Sequence, residues 1–507
     1  ILFKNSSIKR SCFFYYIYLL TIKTNIMDKK LLFFLLIPFL GFSQVQIGQD
    51  IVGDNLEDHF GIAVSMSADG NVVAVSTEPT PGNTYKKIYS NNSGTWTQVG
   101  QTIYSNSNER FNRTISLSGD GTVLAFVIGS LSTGNNTVRI YKNILGVWTQ
   151  VNQDIVGNNI NEIIGGNIAL SFNGDIIVFT AVSGGNNPKL RVHKNVSGTW
   201  TQVGQDIIGT DLSSAYGSSL SISDDGNIVA VSAPLNEING IDVGSVFVYK
   251  NNSNVWEQFG QDLNGQFSNE RYGDAIDLSS NGDVIAITSS KDNNLSKGIA
   301  KVYKITQNVW NQYGNTIIGE RVAGDVSLSA DGHTLAFATD PNTNGLLGVL
   351  RVYRNISGTF WSKLGNDVKG TYPSDVLGGY DGSVSISADG NIVAVGAPYD
   401  FGAVNNPSYP KYDEGYVQVW DYSKATVSTN EFVQQNFNVY PNPTSDILNI
   451  NLENNLVLEE VTIYNNLGQV VKTSIENVID VSQLAKGLYF VEVTTNQGKA
   501  AKKVVVQ

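Results

Sequence analysis

Residues 216–262 read YGSSLSISDDGNIVAVSAPLNEINGIDVGSVFVYKNNSNVWEQFGQD, and variants of this stretch occur seven times in the chain. Each copy begins with alternating polar and apolar residues, which is typical of a β-strand with one buried face. An Asx-Gly pair then predicts a tight type I′ turn into a second, more apolar strand. A variable connection leads to a third strand that ends in an aromatic residue, and a tryptophan opens a fourth. The stretch therefore predicts a unit of four antiparallel strands.

The Asx-Gly pairs recur at intervals of 50 to 58 residues. Repeats of about fifty residues with four strands apiece are typical of the blades of a β-propeller. The sequence therefore predicts a seven-bladed propeller. The seven pairs are Asp69-Gly70, Asp120-Gly121, Asn173-Gly174, Asp225-Gly226, Asn281-Gly282, Asp331-Gly332 and Asp389-Gly390.

Six copies carry an aromatic residue followed by a tryptophan, and the seventh copy breaks this pattern. Trp420 occupies its aromatic position, no tryptophan follows, and the fourth strand is missing. Residues 45–52, VQIGQDIV, match the segment that follows Trp200, VGQDII. We therefore expect the N-terminal segment to complete the last blade and close the ring, which would remove exposed strand edges. The six pairs are Tyr89/Trp96, Tyr141/Trp148, His193/Trp200, Tyr249/Trp256, Tyr303/Trp310 and Tyr353/Trp361.

The repeats resemble the FG-GAP propellers of the integrin-α type. Phe60-Gly61, Tyr216-Gly217 and Tyr272-Gly273 are similar to the first half of that signature, and Ala233-Pro234 and Gly396-Ala397-Pro398 to the second. Blades of this group often hold calcium in a loop of alternating Asp and Asn residues. Here the turns read SADGN, SGDGT, SFNGD and SDDGN, which offer too few oxygens for the six to eight that calcium prefers. No metal ligand is predicted.

Composition excludes several classes of protein. The 507 residues carry a net charge of −12, and residues 45–507 hold 27 basic against 44 acidic side chains, a net of −17. So acidic a surface repels phosphate backbones, and we expect no nucleic-acid partner. The only cysteine, Cys12, lies upstream of the predicted mature start. Neither a disulfide nor a thiolate metal site is therefore expected in the propeller.

The chain divides into five predicted segments. Residues 1–26 are an upstream extension. Residues 27–44 are a signal peptide, with Lys29 and Lys30 before the apolar run 31–40, which is too short to span a membrane. Residues 45–423 form the propeller, 424–435 a polar linker, and 436–507 a small Ig-like β-sandwich of about seven strands.

The last segment closely resembles the type A C-terminal sorting domain of the type IX secretion system of Bacteroidetes. The resemblance implies export, contact with the type IX machinery, and a protein that is released or attached to the outer-membrane surface. An ordinary Ig-like accessory domain is the alternative interpretation. The residues that carry the resemblance are Tyr440, Pro441, Asn442, Pro443, Asp446, Leu448, Ile450, Tyr464, Gly468, Gly487, Leu488, Tyr489 and the run from Lys503 to Val506.

No group of residues in the sequence assembles a catalytic site. His59, His193 and His333 occupy non-equivalent places in three different copies, so they do not converge as metal ligands or catalytic partners. The sequence predicts no catalytic residue and no cofactor, and we expect no enzyme. A glycosidase would need two carboxylates that depart from the repeat. The recurring carboxylates, for which a turn or interblade role is expected, are Asp50, Asp154, Asp206, Asp262 and Asp367.

Two features compete as a ligand site. The six tryptophans could stack on sugar rings as a multivalent lectin, but their regular placement favours packing between blades. The connections between second and third strands vary most, and variable loops on a rigid scaffold commonly carry recognition. The best candidate is the longest such loop, in the seventh copy, although a solvated loop without a partner is as good an interpretation. Its candidate residues are Tyr399, Asp400, Tyr409, Tyr412 and Asp413.

The sequence therefore predicts a secreted or cell-surface propeller that acts as a binding or adhesion module for a glycan or a protein. The alternative is an extracellular carbohydrate-active enzyme that uses the propeller channel. A purely structural role in the cell envelope is a third hypothesis.

Overall fold

The computed structural model describes residues 43–507 except for a set of short segments. Every named element in the described part is a β-strand, so the predicted all-β fold class is confirmed. The described residues contain no helix with the length and apolar character needed to span a lipid bilayer. The segments outside the description are 1–42, 56–57, 79–83, 132–133, 159–161, 186, 210–212, 291–296, 320–321, 341–347, 356–357, 359, 371–375, 381, 399–413, 426–432, 434–436, 454–455, 467–468 and 496–497.

The seven copies correspond to seven antiparallel sheets, numbered 1 to 7 in chain order. Two short strands precede them, β1 (Val45–Gln46) and β2 (Ile51–Val52). Sheet 1 contains β3 (Ala63–Met66), β4 (Val72–Ser76), β5 (Tyr85–Asn92), β6 (Thr95–Gln98) and β7 (Ile103–Tyr104). Sheet 2 contains β8 (Glu109–Leu117), β9 (Val123–Ser130), β10 (Asn136–Ile144) and β11 (Val147–Gln150). Sheet 3 contains β12 (Glu162–Leu170), β13 (Ile176–Ser183), β14 (Lys189–Val196), β15 (Thr199–Gln202) and β16 (Ile207–Ile208).

Sheets 4 to 7 repeat this order. Sheet 4 contains β17 (Leu220–Ile222), β18 (Ile228–Ala233), β21 (Ser245–Asn252), β22 (Val255–Gln258) and β23 (Leu263–Asn264), with a separate hairpin of β19 (Glu237–Ile238) and β20 (Ile241–Asp242). Sheet 5 contains β24 (Ile276–Leu278), β25 (Val284–Ser289), β26 (Ile299–Thr306), β27 (Val309–Gln312) and β28 (Ile317–Ile318). Sheet 6 contains β29 (Val322–Leu328), β30 (Thr334–Asp340), β31 (Val349–Asn355) and β32 (Trp361–Lys369). Sheet 7 contains β33 (Val384–Ile386), β34 (Ile392–Ala397) and β35 (Tyr416–Asp421).

The hydrophobic core of residues 43–425 lies between the sheets. The second strand of each sheet is buried on both faces; β18 and β25, for example, are buried along their whole length. This burial explains why second strands are continuously apolar while first strands alternate. Seven clusters of buried side chains each combine two consecutive sheets, and the cluster that contains Val73 and Val417 joins sheet 7 to sheet 1.

The Asx-Gly turns differ from the predicted type I′ geometry. In the first turn only Gly70 has a positive φ, +73°, and its N–H donates to the Ser67 carbonyl at 2.9 Å. Asp69 instead accepts hydrogen bonds from the Ser67 hydroxyl at 2.5 Å and from the Asn71 N–H at 3.0 Å. The loop therefore has four residues between Ser67 and Val72. The prediction of type I′ turns was wrong. It overlooked the serine that lies two residues before each Asx and binds the Asx side chain.

Main-chain hydrogen bonds connect these turns in a cycle. The N–H of the residue before an Asx donates to the main-chain carbonyl of its counterpart in the next sheet. Ala68 donates to Gly119, Phe172 donates to Asp224, and Ala330 donates to Ala388, at 2.8 to 3.1 Å. Across the step from sheet 2 to sheet 3, Asp120 donates to Phe172 at 3.3 Å. The remaining links are Asp224 to Ser280, Ser280 to Ala330, and Ala388 back to Ala68.

The repeated tryptophans bind consecutive sheets together. The indole N–H of Trp256 donates to the Val203 carbonyl of the preceding sheet at 2.8 Å, and Gln205 bonds both the N–H and the carbonyl of Trp256. Trp96, Trp148, Trp310 and Trp361 make the equivalent indole bond. These five side chains are at most 5% exposed. Their burial agrees with packing and leaves no ring face open for a sugar.

The N-terminal segment pairs with the last strand of sheet 7. Val45 pairs with Asp421, and Ile51 pairs with Val417. Just before β1, the Gln44 amide bonds both the N–H and the carbonyl of Asn366 in sheet 6, at 2.8 and 3.0 Å. Gln44 thus lies where the other sheets have their tryptophan.

The recurring carboxylates bind side chains of their own sheet. Asp206 accepts two hydrogen bonds from Arg191, which also binds Glu162, and both Arg191 and Glu162 have side chains at most 1% exposed. Asp154 and Asp367 bind Arg139 and Arg351 at the equivalent positions. Asp50 binds Gln418, and Asp262 binds Gln258. Their role is to hold a sheet together.

The C-terminal segment contains two antiparallel sheets that share one hydrophobic core. The core takes side chains from both, including Leu448 and Val491. The sheet of three strands comprises β36 (Phe437–Tyr440), β37 (Ile447–Leu452) and β40 (Val478–Asp480). The sheet of four comprises β38 (Leu458–Asn465), β39 (Val470–Ser474), β41 (Gly487–Thr495) and β42 (Gly498–Val506).

The pairing of β2 with sheet 7 yields a test with an internal control. Ile51 is 4% exposed and packs with Phe60 and Val417, whereas its neighbour Val52 is 52% exposed. We expect Ile51→Ala to lower the free energy of unfolding by about 2–5 kcal/mol through the cavity it creates. Val52→Ala should change it by less than about 0.5 kcal/mol. Chemical denaturation of the full chain measures both, and equal effects would contradict the pairing.

Candidate functional site

The first strands of all seven sheets line one cavity of about 250 Å³, which we call the inner cavity. A single repeat position at the middle of these strands connects the sheets. At this position the Ser65 hydroxyl accepts a hydrogen bond from Leu117 N–H of the next sheet at 2.9 Å, and Ser221 does the same for Leu278 at 3.1 Å. Five copies have serine here, and the other two have Ala169 and Asp277. The seven residues are Ser65, Ser116, Ala169, Ser221, Asp277, Ser327 and Ser385.

Asp277 is the carboxylate at the serine position. Its oxygens accept from the Ser221 hydroxyl and its own following N–H, both at 2.9 Å, and from Leu328 N–H at 2.8 Å. The Ser327 hydroxyl adds a contact at 3.3 Å. Burial raises the pKa of Asp277 to about 6, although these hydrogen bonds favour the charged form. The carboxylate therefore connects sheets 4, 5 and 6.

Two further carboxylates of the first strands also depart from the repeat. Asp325 is 3% exposed and accepts from Val326 N–H at 2.8 Å and from Val384 N–H of sheet 7 at 2.7 Å. Asp274 accepts from the Arg271 guanidinium at 2.9 Å and from the Ser290 hydroxyl. Burial raises the pKa of Asp274 to about 6, and Arg271 opposes this shift. All three carboxylates are engaged by protein groups.

In three sheets the pairing of the first strand with the second is irregular where the first strand borders the inner cavity. The pairing shifts between Phe111 and Ile115 in β8, between Ile164 and Ile168 in β12, and between Ala323 and Val326 in β29. Such bulges redirect side chains and are common beside functional sites. The side chains placed there are Arg113 with Thr114, Asn167, and Asp325.

A second cavity of about 870 Å³, the loop-side cavity, adjoins the inner one, because Arg113 and Asn167 line both. Pro234 and Ser290 also line it, and each begins a connection between a second and a third strand. The first residues of these two connections therefore border the cavity. Arg113, Arg271 and Asp274 supply its charge, and Tyr380 supplies an aromatic ring.

The predicted candidate loop lies outside the described residues. Tyr399, Asp400, Tyr409, Tyr412 and Asp413 all fall within 399–413. Their role as a ligand site therefore stays a prediction.

The three histidines are separate from one another. His193 packs edge-on against Phe179 with ring centroids 5.1 Å apart, and burial, together with nearby Arg191, lowers its pKa to about 4. It is a neutral core side chain at the tyrosine position. His59 contacts Glu78 at 3.0 Å, and His333 lies 3.6 Å from Asp331. Within the described residues, no three His, Cys, Asp or Glu side chains gather as a metal site.

The sorting-motif residues hold the final strand. The Asn442 amide donates to the Lys503 carbonyl at 2.9 Å and accepts from Val505 N–H at 3.0 Å. These two bonds dock the segment Tyr440-Pro441-Asn442-Pro443 onto β42. Tyr440 itself is 53% exposed.

Other motif residues fix turns within the same module. The Tyr489 hydroxyl donates to the Ala485 carbonyl at 2.8 Å, closing the approach to β41, which begins at Gly487. The Asp446 carbonyl accepts from Val481 N–H at 2.7 Å. Gly468 lies outside the described residues.

Sequence reasoning missed the residues of both cavities, although a signal for them was present. Aligning the copies on their Asx-Gly pairs places Arg113 opposite Ile62 and Asp277 opposite a serine. Asp277 departs from a position that is serine in five copies, whereas the position of Arg113 varies and is basic in that copy alone. Which of them share a cavity follows only from how neighbouring sheets pack.

Comparison with known proteins identifies the C-terminal module. Residues 438–507 match the secretion system C-terminal sorting domain. The predicted type IX sorting domain is confirmed. It implies interaction with the type IX secretion machinery, export, and an extracellular or cell-surface location.

Other similarities are partial. Beta-agarase D of Zobellia galactanivorans is 40% identical over 70 residues, which is 13% of this chain and 14% of that relative. Hydrazine synthase of Kuenenia stuttgartiensis is similar over 68% of this chain and 94% of its own, with 12% identity and a TM-score of 0.44. TolB of Acinetobacter baumannii is similar over 61% and 65%, with 15% identity and a TM-score of 0.38. With TM-scores this low, neither structural similarity indicates a function for this chain.

The buried carboxylate predicts a pH-dependent stability. Since its folded pKa of about 6 exceeds the ordinary value of 3.8, Asp277 favours folding while protonated, and this contribution is lost as the pH rises through 6. Asp277→Ser restores the residue of the other copies. We expect the variant to gain stability over the wild type as the pH rises from 4 to 7, by up to about 3 kcal/mol. Denaturant titrations across this range measure the difference.

The exposed Asp262 provides the control, and Asp262→Ser should leave the pH dependence of the wild type unchanged. A constant difference between the wild type and Asp277→Ser at every pH would show that burial does not perturb this carboxyl.

Proposed function

We propose that this protein is a secreted or cell-surface binding module, exported by type IX secretion, that takes a glycan or protein ligand in its loop-side cavity. In this proposal residues 1–26 are an upstream extension and residues 27–44 are a signal peptide. Residues 45–423 are a closed seven-bladed propeller of the FG-GAP-like group. Residues 424–435 are a linker, and 436–507 are an Ig-like sorting module that is recognised for export.

Three observations support a closed seven-bladed ring. Seven sheets follow the seven copies, and each shares a hydrophobic cluster with the next, including the last with the first. The hydrogen bonds between turns return to Ala68. Strands β1 and β2 occupy the edge of sheet 7 that would otherwise be open.

The observation that carries a binding role is the loop-side cavity. Its volume of about 870 Å³ lies in the range of small-ligand sites. The copies differ at the repeat position shared by Arg113 and Asp274, which is charged in these two copies alone, so the charged lining is not a by-product of symmetric packing. Polar side chains at the start of connections between strands, on a rigid set of sheets, are the usual arrangement of a recognition site.

The enzyme alternative has less support. Retaining and inverting glycosidases need one carboxyl group to transfer a proton and a second to act as nucleophile or base. Asp277 and Asp325 each bind backbone N–H groups of two sheets, and Asp274 binds Arg271. The similarity to a beta-agarase spans 70 residues, a stretch the size of the sorting domain. It covers 13% of this chain and 14% of that relative, too little of either to carry the relative's activity over to this protein.

Tyr380 tests this proposal, because it is the half-buried tyrosine of the loop-side cavity. We expect the full chain to bind a member of a panel of extracellular glycans and surface proteins. Tyr380→Ala should weaken that binding about fivefold or more, since an aromatic contact is worth about 1 kcal/mol. Surface plasmon resonance against the bound panel member measures the loss.

Tyr104→Ala removes a tyrosine that is 56% exposed on β7, outside the cavity, and should leave binding unchanged. Equal losses from both variants would place the ligand elsewhere. Release of reducing sugars from any panel polysaccharide by the purified chain would favour the enzyme alternative instead.

A further inference from the structure

We propose that the ligand of the loop-side cavity is a glycan with an acidic group, a carboxylate or a sulfate, and that Arg113 binds this group. The inference rests on the proposed binding function and specifies the chemistry of its ligand.

Arg113 lines the inner cavity and is the one basic residue among the seven at its repeat position. In the other copies its position holds small, apolar or acidic residues. Packing of the first strands therefore does not require a long basic side chain there. The six counterparts are Ile62, Gly166, Ser218, Asp274, Gly324 and Gly382.

The backbone aims this side chain at the ligand space. Arg113 lies in the irregular part of β8, where its N–H is held by the Asn112 side chain at 2.7 Å and the neighbouring Thr114 hydroxyl donates to the Gly166 carbonyl at 3.0 Å. One anchor lies in the same strand and the other in sheet 3, so the bulge is fixed from both. Arg113 lines both cavities as a result.

The guanidinium of Arg113 has no protein partner within the described part of the chain, although the residue is half-buried. Other half-buried arginines on the sheets have side-chain partners: Arg139 binds Glu109 and Asp154, Arg351 binds Asp367, and Arg354 binds Thr334 and Asn391. A partly desolvated cation without an anion is unfavourable. An oxyanion of the ligand would supply the missing partner in the bidentate geometry that guanidinium groups favour.

The surrounding charges indicate a single acidic group. Arg271 and Asp274, the other charged pair of the cavity, neutralise each other at 2.9 Å. Among the described residues that line the loop-side cavity, Arg113 therefore has the one charge that no opposite charge neutralises. The carboxylates of the adjoining inner cavity, Asp277 and Asp325, are bound to backbone N–H groups. Residues 45–507 together carry −17. A densely charged polyanion would be repelled by the rest of the surface. A glycan with one acidic group per repeating unit, among neutral sugars, satisfies both constraints.

The cavity lining favours a glycan over an acidic peptide. Amide and hydroxyl side chains line the same cavity as Arg113, and these suit sugar hydroxyl groups. Peptide sites usually depend on deep apolar or aromatic anchors. Among the described lining residues the large apolar or buried aromatic side chains are Ile163, Val182, Tyr216 and Pro234, and uncharged polar side chains outnumber them. The polar residues other than the charged ones are Asn112, Asn136, Asn167, Thr180, Ser218, Ser290 and Tyr380.

The test is a glycan array probed with the labelled full chain. The array holds neutral oligosaccharides, hyaluronate with its carboxyl-reduced form, and a singly sulfated galactan with its desulfated form. We expect binding to an acid-bearing glycan and at least tenfold weaker binding to the matched neutral form. The carboxylated and sulfated arms distinguish the two sources of the oxyanion.

Variants assign the effect to Arg113. Arg113→Ser installs the residue of the fourth copy and should weaken binding at least tenfold, because a charge-assisted hydrogen bond is lost. Arg113→Lys keeps the charge and should lose less. Arg110→Ser removes an exposed arginine from the same strand and should change affinity less than twofold. Melting temperatures of all variants show whether each remains folded.

Each outcome decides the proposal. Selective binding of neutral glycans, or acidic-glycan binding that Arg113→Ser leaves intact, would overturn it while a glycan-binding function stands. Binding to acidic peptides or proteins and to no glycan would also overturn it and would keep the broader binding function. If neither the array nor the protein panel is bound, both the inference and the proposed function are wrong.

Discussion

Every second strand in residues 43–425 is buried on both faces, so each sheet requires a neighbouring sheet on either side. A linear array of such sheets would expose two apolar faces at its ends. Seven hydrophobic clusters between seven sheets meet the requirement, since one of them joins the last sheet to the first. The segment that contains Ile51 belongs to that cluster. Burial of the second strands, more than any single contact, therefore determines the arrangement of the chain.

Polar interactions position the sheets that burial brings together. Turn backbones bond along the inner side, serine hydroxyls bond to the next first strand, and indole N–H groups bond to the preceding sheet. Each of these uses a residue that recurs once per copy. Because a hydrogen bond adds modest net stability but an unsatisfied buried group is costly, such repeated bonds specify spacing and register. Gln44 shows the same principle where the tryptophan is missing, since its amide bonds the backbone of Asn366.

Much of this arrangement could be predicted from sequence, and the reasons are local. The strands, the number of copies and the pairing of residues 45–52 follow from periodicity and from the match to the segment after Trp200. The sorting domain follows from linked motifs, and Asn442 shows that its segment is needed to hold β42. The turn type was predicted wrongly, because Ser67 was not considered as a partner of Asp69. The cavities could not be predicted, because register shifts in β8, β12 and β29 decide where Arg113 and Asn167 point.

Comparison among the seven copies also shows how the protein accommodates a residue that differs from its counterparts. Where a copy replaces serine by Asp277, the buried carboxylate accepts four hydrogen bonds, and the departure is offset within the protein. Arg191 carries a buried charge as well, and Glu162 and Asp206 offset it. Arg113 differs from both, since the described residues provide its guanidinium with no such partner. A departure that the protein compensates is explained by packing, whereas one left uncompensated at a cavity is explained by a ligand. By that criterion the acidic side chains of the inner strands are structural, and recognition depends on the arginine beside them.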